Sequence, residues 1–330
     1  MRILQAAKRF IRSKSMSLIL VTCIVVIFFF LMNNNYVSGD NIRGIMNSMS
    51  VSAIIGVGMA FLLMGGGINL AASTEGCFGG VLIAMLMQTG MPWPLALLIG
   101  LLFGILTGAI NSFFVNKLNF MGFISTLGMG SVYTGIVLVI TMNSNVPISN
   151  QLFWQLGSYL VLGFFPAPFI IMLCLVVIYG VILAKTRFGR SVLMCGGNRS
   201  AARLAGLSPK RISTILYMNC GVLSTLAGAV LAARMHAASP NAMSSGSLDA
   251  ITSAVLGGVS FMGGSGSITG MFFGALLLSA FRNGLVVIGM DAYWQLVLQG
   301  VVLIIALCVD YYSTRSRAIA LKRVGAKKAA

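Results

Sequence analysis

The chain has 330 residues, of which 58% are hydrophobic and only 8% charged, with a net charge of +17. Soluble chains carry about a quarter charged residues, so this composition excludes a soluble globular domain. The positive charge lacks interleaved aromatic residues, which excludes nucleic acid as a partner.

Charge placement carries topology instead. Nineteen of the 22 Lys/Arg fall in Arg2–Lys14, at Lys117, in Lys185–Arg211 and in Arg315–Lys328, all outside apolar runs. Attraction to membrane lipid heads is a secondary effect of the same charge. The N-terminus has a basic region followed by an apolar run, as a signal peptide does. The run Met16–Met32 is 17 residues long and no A-x-A site follows, so it reads as a retained first span.

Crossing the ~30 Å of hydrocarbon takes about 20 apolar residues. Ten candidate runs stand in chain order: Met16–Met32, Ile45–Met64, Gly76–Met87, Trp93–Val115, Phe120–Met142, Ala167–Ala184, Ile212–Ala233, Leu248–Met262, Ile268–Ile288 and Tyr293–Tyr312. The expected fold is an all-α, polytopic helical membrane protein. Its domains are a basic N-terminus (1–15), one transmembrane domain (16–312) containing the loop 185–211, and a basic tail (313–330). With both termini cytoplasmic, only Arg43, Arg234 and Arg282 fall on the outer side, in accord with the positive-inside rule. The loop Asn143–Phe165 has no Lys or Arg and is the longest outer segment, either a plain interfacial loop or part of a docking surface.

Gly76–Met87 and Leu248–Met262 are too short to cross comfortably, and each is the third run of its set of five. Five is odd, so the second set enters the membrane in the opposite sense, which predicts an inverted 5+5 repeat. Paired short segments at matching positions point to a transporter's pathway. Ahead of the first lies G-G-G-I-N-L-A-A-S-T-E-G, Gly65 to Gly76, in which Ser73 or Thr74 is expected to cap the next helix with Glu75 in its first turn. Ser247 and Asp249 repeat the device. Two roles are open for these acids, as polar groups facing the pathway or as anchors at helix termini. An ionised residue deep in the bilayer costs ~2.5–3.5 kcal/mol, so unpaired burial is not expected. Asn111, Ser125, Thr126, Tyr133, Asn219, Ser224, Thr225, Gln295 and Gln299 add neutral polar groups within spans, suited to a neutral polyol. Gly266-x-x-x-Gly270-x-x-x-Gly274 allows close helix approach, within the subunit or between subunits.

Several chemistries find no support. No G-x-x-x-x-G-K-[ST] occurs, so ATP binding through a P-loop is excluded. His236 is the single histidine and has no clustered carboxylates. The six cysteines (Cys23, Cys77, Cys174, Cys195, Cys220, Cys308) show no C-x-x-C spacing, which speaks against a zinc site or a disulfide framework. No cofactor or metal is expected.

The segment Ala184–Arg211 holds seven basic residues and no acid. Its middle reads as a short helix, with Asn198 as N-cap and Gly206 as terminator. From composition it is either an ordinary cytoplasmic loop or a docking piece for a soluble partner. T-R-F-G-R and C-G-G-N-R-S-A-A-R-L-A-G in this segment resemble the cytoplasmic loop of permease subunits of ribose-type ABC importers. S-L-D-A-I-T-S-A-V-L-G-G-V-S-F-M-G-G-S-G-S-I-T-G, R-N-G-L-V-V-I-G and V-G-M-A-F-L-L-M-G-G-G-I-N-L extend the resemblance from about Ile54 to Asp310. Asn69 stands where that family usually has Asp, and Ala71 where it has Ser.

The resemblance implies a non-enzymatic subunit of the bacterial cytoplasmic membrane. It would work with a cytoplasmic ABC ATPase that uses ATP and Mg, an extracytoplasmic sugar-binding protein, and a second permease copy or paralogue. The cargo implied is a monosaccharide such as ribose, xylose, another pentose or hexose, or a related furanose. ATPase coupling is expected of Arg187, Gly189, Arg190, Gly197, Asn198, Ala201, Ala202, Arg203 and Gly206. The substrate pathway is expected to include Asn69, Ser73, Glu75, Asn111, Thr126, Asn219, Asp249 and Gln299. The alternatives are a branched-chain amino-acid or nucleoside ABC permease, and an ion-coupled secondary transporter.

Overall fold

The computed structural model describes residues 14–291, 293–298, 300–305 and 307–308. The segments 1–13 and 309–330, which hold most of the expected basic termini, lie outside the described residues.

The first described helix, α1 (Lys14–Met32), leads through a 3-10 turn (Asn34–Val37) into α2 (Gly39–Met64). α2 starts six residues before its apolar run because Ser38 Oγ caps it by accepting the Asn41 N–H at 3.4 Å. Asp40, in the first turn, then pairs with Arg43. After a non-helical break come α3 (Ala72–Gln88) and α4 (Trp93–Ser112), the latter running into a π-helical turn (Phe113–Lys117). α5 (Gly122–Thr141) ends at Met142 and Asn143, both in left-handed geometry.

The segment 143–166, expected on the outer side, is a folded cap instead of a plain loop. Its strand β1 (Val146–Pro147) pairs with β4 (Ala237–Ala238), and β2 (Leu160–Val161) pairs with β3 (Phe165–Pro166). Between them sits α6 (Gln151–Ser158), capped by Asn150, with Phe153 fully buried beneath it. Trp154 stacks on His236 with ring centroids 4.2 Å apart.

α7 (Ala167–Lys185) is followed by two helices in the basic segment, the amphipathic α8 (Arg187–Gly197) and the short α9 (Arg199–Leu204). The chain then re-enters as α10 (Pro209–Met235), α11 (Gly246–Leu256) and α12 (Ile268–Val287). Helical residues follow at 293–298 and 300–305.

Among the described residues, six helices are long and apolar enough to cross a membrane: α2, α4 with its π-helical turn, α5, α7, α10 and α12. Two expected lengths need correction. α3 has 17 residues instead of 12, because the polar Ser-Thr-Glu turn is helical too. α11 has 11 instead of 15, because the backbone leaves the helix at Gly257 and Gly258, the latter with φ +82°.

α2 and α10 form the centre: 72% and 67% of their spanning windows are buried, against 22% in α5 and α7. The outer helices expose leucine, isoleucine and valine, as contact with lipid tails requires. Helix association in lipid relies on close van der Waals packing. The Gly270–Gly274 stripe supplies it within the subunit: a Cβ on Gly270 would lie 2.1 Å from the carbonyl of Gly257, just past α11, and one on Gly274 2.1 Å from the Ser253 carbonyl of α11.

Candidate functional site

The break between α2 and α3 is the first half of the site. Gly66 adopts φ +77°, and the chain then climbs between α10 and α5. Its backbone polar groups are met by side chains, as any non-helical stretch within a membrane requires. Tyr217 OH donates to the Ile68 carbonyl at 2.9 Å, and Thr126 Oγ1 accepts the Leu70 N–H at 3.0 Å.

The expected caps are not those observed. α3 begins after Ala71 with no side-chain cap, while Asn69 Oδ1 accepts the Ala71 N–H at 3.0 Å. Thr74 lies inside the first turn and donates to the Ala71 carbonyl. α11 likewise begins after Ser245 with no side-chain cap. Neither Ser73 nor Ser247 caps its own helix because each is engaged by the other. Ser247 Oγ accepts the Ser73 N–H at 2.8 Å and lies 2.8 Å from Ser73 Oγ and 2.9 Å from the Leu70 carbonyl. The starts of α3 and α11 therefore meet at a hydroxyl pair.

Glu75 sits in the first turn of α3 as expected and is fully buried. Asn111 Nδ2 donates to Oε1 at 2.5 Å and Asn69 Nδ2 to Oε2 at 3.1 Å, so two amides from separate elements clamp the carboxyl group. Asn69, Glu75, Asn111 and Thr126 are thus drawn into one buried cluster, with Ser73 at its edge. Asn219, on α10, instead bonds Tyr179 of α7. Gln299 lies outside the described residues.

Asp249 occupies the first turn of α11, 3% exposed, and pairs with Arg282 of α12 at 2.5 Å. Sequence reasoning missed this partnership and placed Arg282 simply outside the membrane. The available signal was a lone arginine within an apolar run, which calls for a counter-ion. The pair lies beside a cavity of about 550 Å³ lined by Ser48, Ser52, Arg234, Arg282, Asn283 and Gln295, among others. A smaller space of about 170 Å³ shares Ser48, Ser52, Arg234 and Ser245 and reaches Asp249. Hydroxyls, an amide pair and guanidinia lining one space can bond a polyol through several hydroxyls at once.

At the opposite, basic end, α8 is capped by Thr186 Oγ1, which accepts the Gly189 N–H at 3.1 Å. Asn198 caps α9 as expected, its Oδ1 accepting the Ser200 and Ala201 N–H groups, and Gly206 follows in left-handed geometry. The helix expected to run from 198 to 206 is thus confined to Arg199–Leu204. Gly189 and Ala202 face inward, while Arg187, Arg190, Gly197, Asn198, Ala201, Arg203 and Gly206 are exposed beside Leu204.

The α8–α9 junction touches both broken segments. A Cβ on Gly196 would lie 1.9 Å from the Met64 carbonyl and 2.7 Å from Gly264 N. Gly264 N itself donates to Met64 O at 2.9 Å, and Arg199 Nη2 to Gly66 O at 3.3 Å. Backbone contact this close joins α8 to the segment leading into α3 and to the segment leaving α11.

Residues 41–307 match the family described as branched-chain amino acid transport system / permease component. The ribose import permease protein RbsC of Bacillus subtilis is 36% identical over 82% of this chain and 84% of its own length. The Escherichia coli D-allose permease AlsC is 34% identical (83% of this chain, 84% of its own), and the L-arabinose permease AraH 32% (86% of each). No solved structure matches the chain significantly. Apolar spanning helices, short helices whose starts meet in the interior, and a family match over most of the length agree, and the chain belongs to this family of multi-pass membrane permeases.

Proposed function

We infer that this chain is the permease subunit of an ATP-driven ABC importer for a monosaccharide. The observation that carries this is likeness to ribose, D-allose and L-arabinose permeases over more than four-fifths of the chain. Those relatives favour a sugar over the amino-acid, nucleoside and ion-coupled alternatives.

In this scheme a cytoplasmic ATPase, which holds ATP and Mg itself, grips the exposed Arg187, Arg190, Arg203 and Leu204 of α8 and α9. An extracytoplasmic binding protein delivers the sugar to the cavity beside Asp249 and Arg282. Movement of α8 on ATP binding passes through Gly196 and Gly197 to the breaks before α3 and after α11. Because those breaks are continuous with α3 and α11, whose first turns hold Ser73 and Ser247, the hydroxyl contact between them is the part that parts and re-forms. Asn69, Glu75, Asn111 and Thr126 brace the start of α3 so that it moves as a unit, and Asp249 contacts the sugar. A second copy or a paralogue completes the pathway. The basic end faces the cytoplasm of a bacterial cell, with both termini on that side of its cytoplasmic membrane.

Ten spans in an inverted 5+5 repeat suit the same scheme. A constant offset of 174 residues carries Ser73 to Ser247, and the same shift carries Glu75 to Asp249 and Ala72, the first residue of α3, to Gly246, the first of α11. Offset-related elements that enter the membrane in opposite senses are how such repeats bring two short helices together at their starts.

The test is reconstitution of the permease with its ATPase and binding protein in liposomes. ATP-dependent uptake of labelled ribose, D-allose or L-arabinose is expected. Uptake driven by an ion gradient without ATP would replace the proposal with a secondary transporter.

A further inference from the structure

A further cavity lies at the basic end, away from the proposed sugar route. It is a groove of about 670 Å³ between the end of α4 and the start of α10. Its walls are predominantly apolar and are formed by Phe113, Ile215 and Met218. Phe113 and Ile215 are 46% and 48% exposed, so the groove is open along its side. Its head is ringed by Lys117, Lys210 and Arg211, all exposed. No described carboxylate pairs with any of the three. The floor is fixed by hydrogen bonds between the two helices: Ser112 Oγ donates to Thr214 Oγ1 at 2.7 Å, and Asn116 Nδ2 to the same Thr214 Oγ1 at 3.3 Å.

Three features of this groove have no role in importing a sugar. The π-helical turn swings Lys117 to the groove's head beside Phe113, its Nζ 5.3 Å from the ring centroid. The three cations line one groove from two helices, and no described carboxylate pairs with them. Below them the lining turns apolar, where a soluble anion would gain nothing. A ligand that matches both halves has an anionic head and a hydrocarbon tail.

We propose that this groove binds an anionic glycerophospholipid, its phosphate among Lys117, Lys210 and Arg211 and an acyl chain along Phe113, Ile215 and Met218. Basic pockets between helices at the lipid–water boundary hold such head groups by charge, while the tail remains in hydrocarbon. The site requires only that this end of the bundle lie at that boundary, so it stands whether or not the cargo is a sugar. Its occupant would tie α4 to the first turn of α10, directly after the basic segment.

Each basic side chain near a membrane surface contributes about fivefold to anionic-lipid affinity, so three contribute about 100-fold. The experiment is native mass spectrometry of the full-length permease with added phosphatidylglycerol or phosphatidylcholine. The native chain is expected to retain phosphatidylglycerol adducts, and Lys117→Ala/Lys210→Ala/Arg211→Ala to lose them by about 100-fold. Phosphatidylcholine retention should be the same in both, and a Lys117→Arg/Lys210→Arg chain should behave as native. Met218→Trp fills the groove without changing charge and should also expel the adduct.

Equal phosphatidylglycerol retention by the triple variant overturns the site. If the triple variant loses the lipid while Met218→Trp keeps it, diffuse surface attraction replaces the groove. Displacement of the adduct by inorganic phosphate would assign the cations to a free anion. Loss of ATPase co-purification with lipid retention intact would assign them to the partner protein.

Discussion

Gly196→Ala is the sharpest probe of the junction between the basic helices and the interior. The added methyl would sit 1.9 Å from the Met64 carbonyl oxygen and 2.7 Å from Gly264 N. Carbon–oxygen contacts rarely fall below about 3.3 Å, so the two backbones must part by more than about 1 Å. Both obstacles are backbone, so no side chain can swing aside. Overpacking of this kind costs about 1–3 kcal/mol. Parting the strands also strains the 2.9 Å Gly264 N–H to Met64 bond, which is worth about 1 kcal/mol.

The expected result is a permease that still folds, with Tm lowered by a few degrees, but whose binding-protein-stimulated ATP hydrolysis and sugar uptake fall at least about tenfold. Gly180→Ala is the control, since Gly180 lies in α7 with nothing near its added methyl. It should be neutral or slightly stabilising, because alanine is the better helix former by about 1 kcal/mol. Liposome uptake, ATPase rate and thermal unfolding of the two variants measure this directly. Native Tm and native coupling in Gly196→Ala would mean that the junction is not tight and does not transmit motion.

Other substitutions test the remaining contacts. Arg282→Gln removes the cation beside a carboxylate that is 3% exposed, and should cost about 3 kcal/mol. Adding Asp249→Asn should recover most of that loss, as read from the Tm values of the two single variants and the double. Glu75→Gln turns an NH₂ toward one of two amide donors and should cost about 1–3 kcal/mol, whereas a Tm equal to native would contradict the clamp. Ser247→Ala removes every bond between its hydroxyl and the start of α3, including the acceptor of the buried Ser73 N–H, so uptake should fall and stability should drop by about 1–3 kcal/mol, read as a lower Tm. Burial pushes the Cys195 thiol above the ordinary thiol range, with Arg199 pulling it part of the way back. The thiolate fraction at neutral pH is therefore reduced, and a Cys195-only chain should react slowly with maleimide until unfolded, the rate rising as pH increases.

Hydropathy and charge are local properties, and what depends on them was legible in the chain. Most helices, the basic segment, the Asn198 cap, Glu75 and Asp249 in their first turns, and the family likeness all follow from neighbouring residues. The length of α11 was less legible, because it turns on where Gly257 and Gly258 release the helix. The caps show where local preference fails. A serine before a helix favours capping by only about 1 kcal/mol, and Ser73 and Ser247 instead satisfy each other across 174 residues of chain. In lipid, no water competes for such groups, so whichever polar partner packing brings near becomes the partner. Only the tertiary structure decided that Asp249 meets Arg282, that Glu75 is held by Asn69 and Asn111, and that Gly196 rests on Met64 and Gly264. Each of those pairings depends on which helices lie side by side, a quantity that no window of sequence contains.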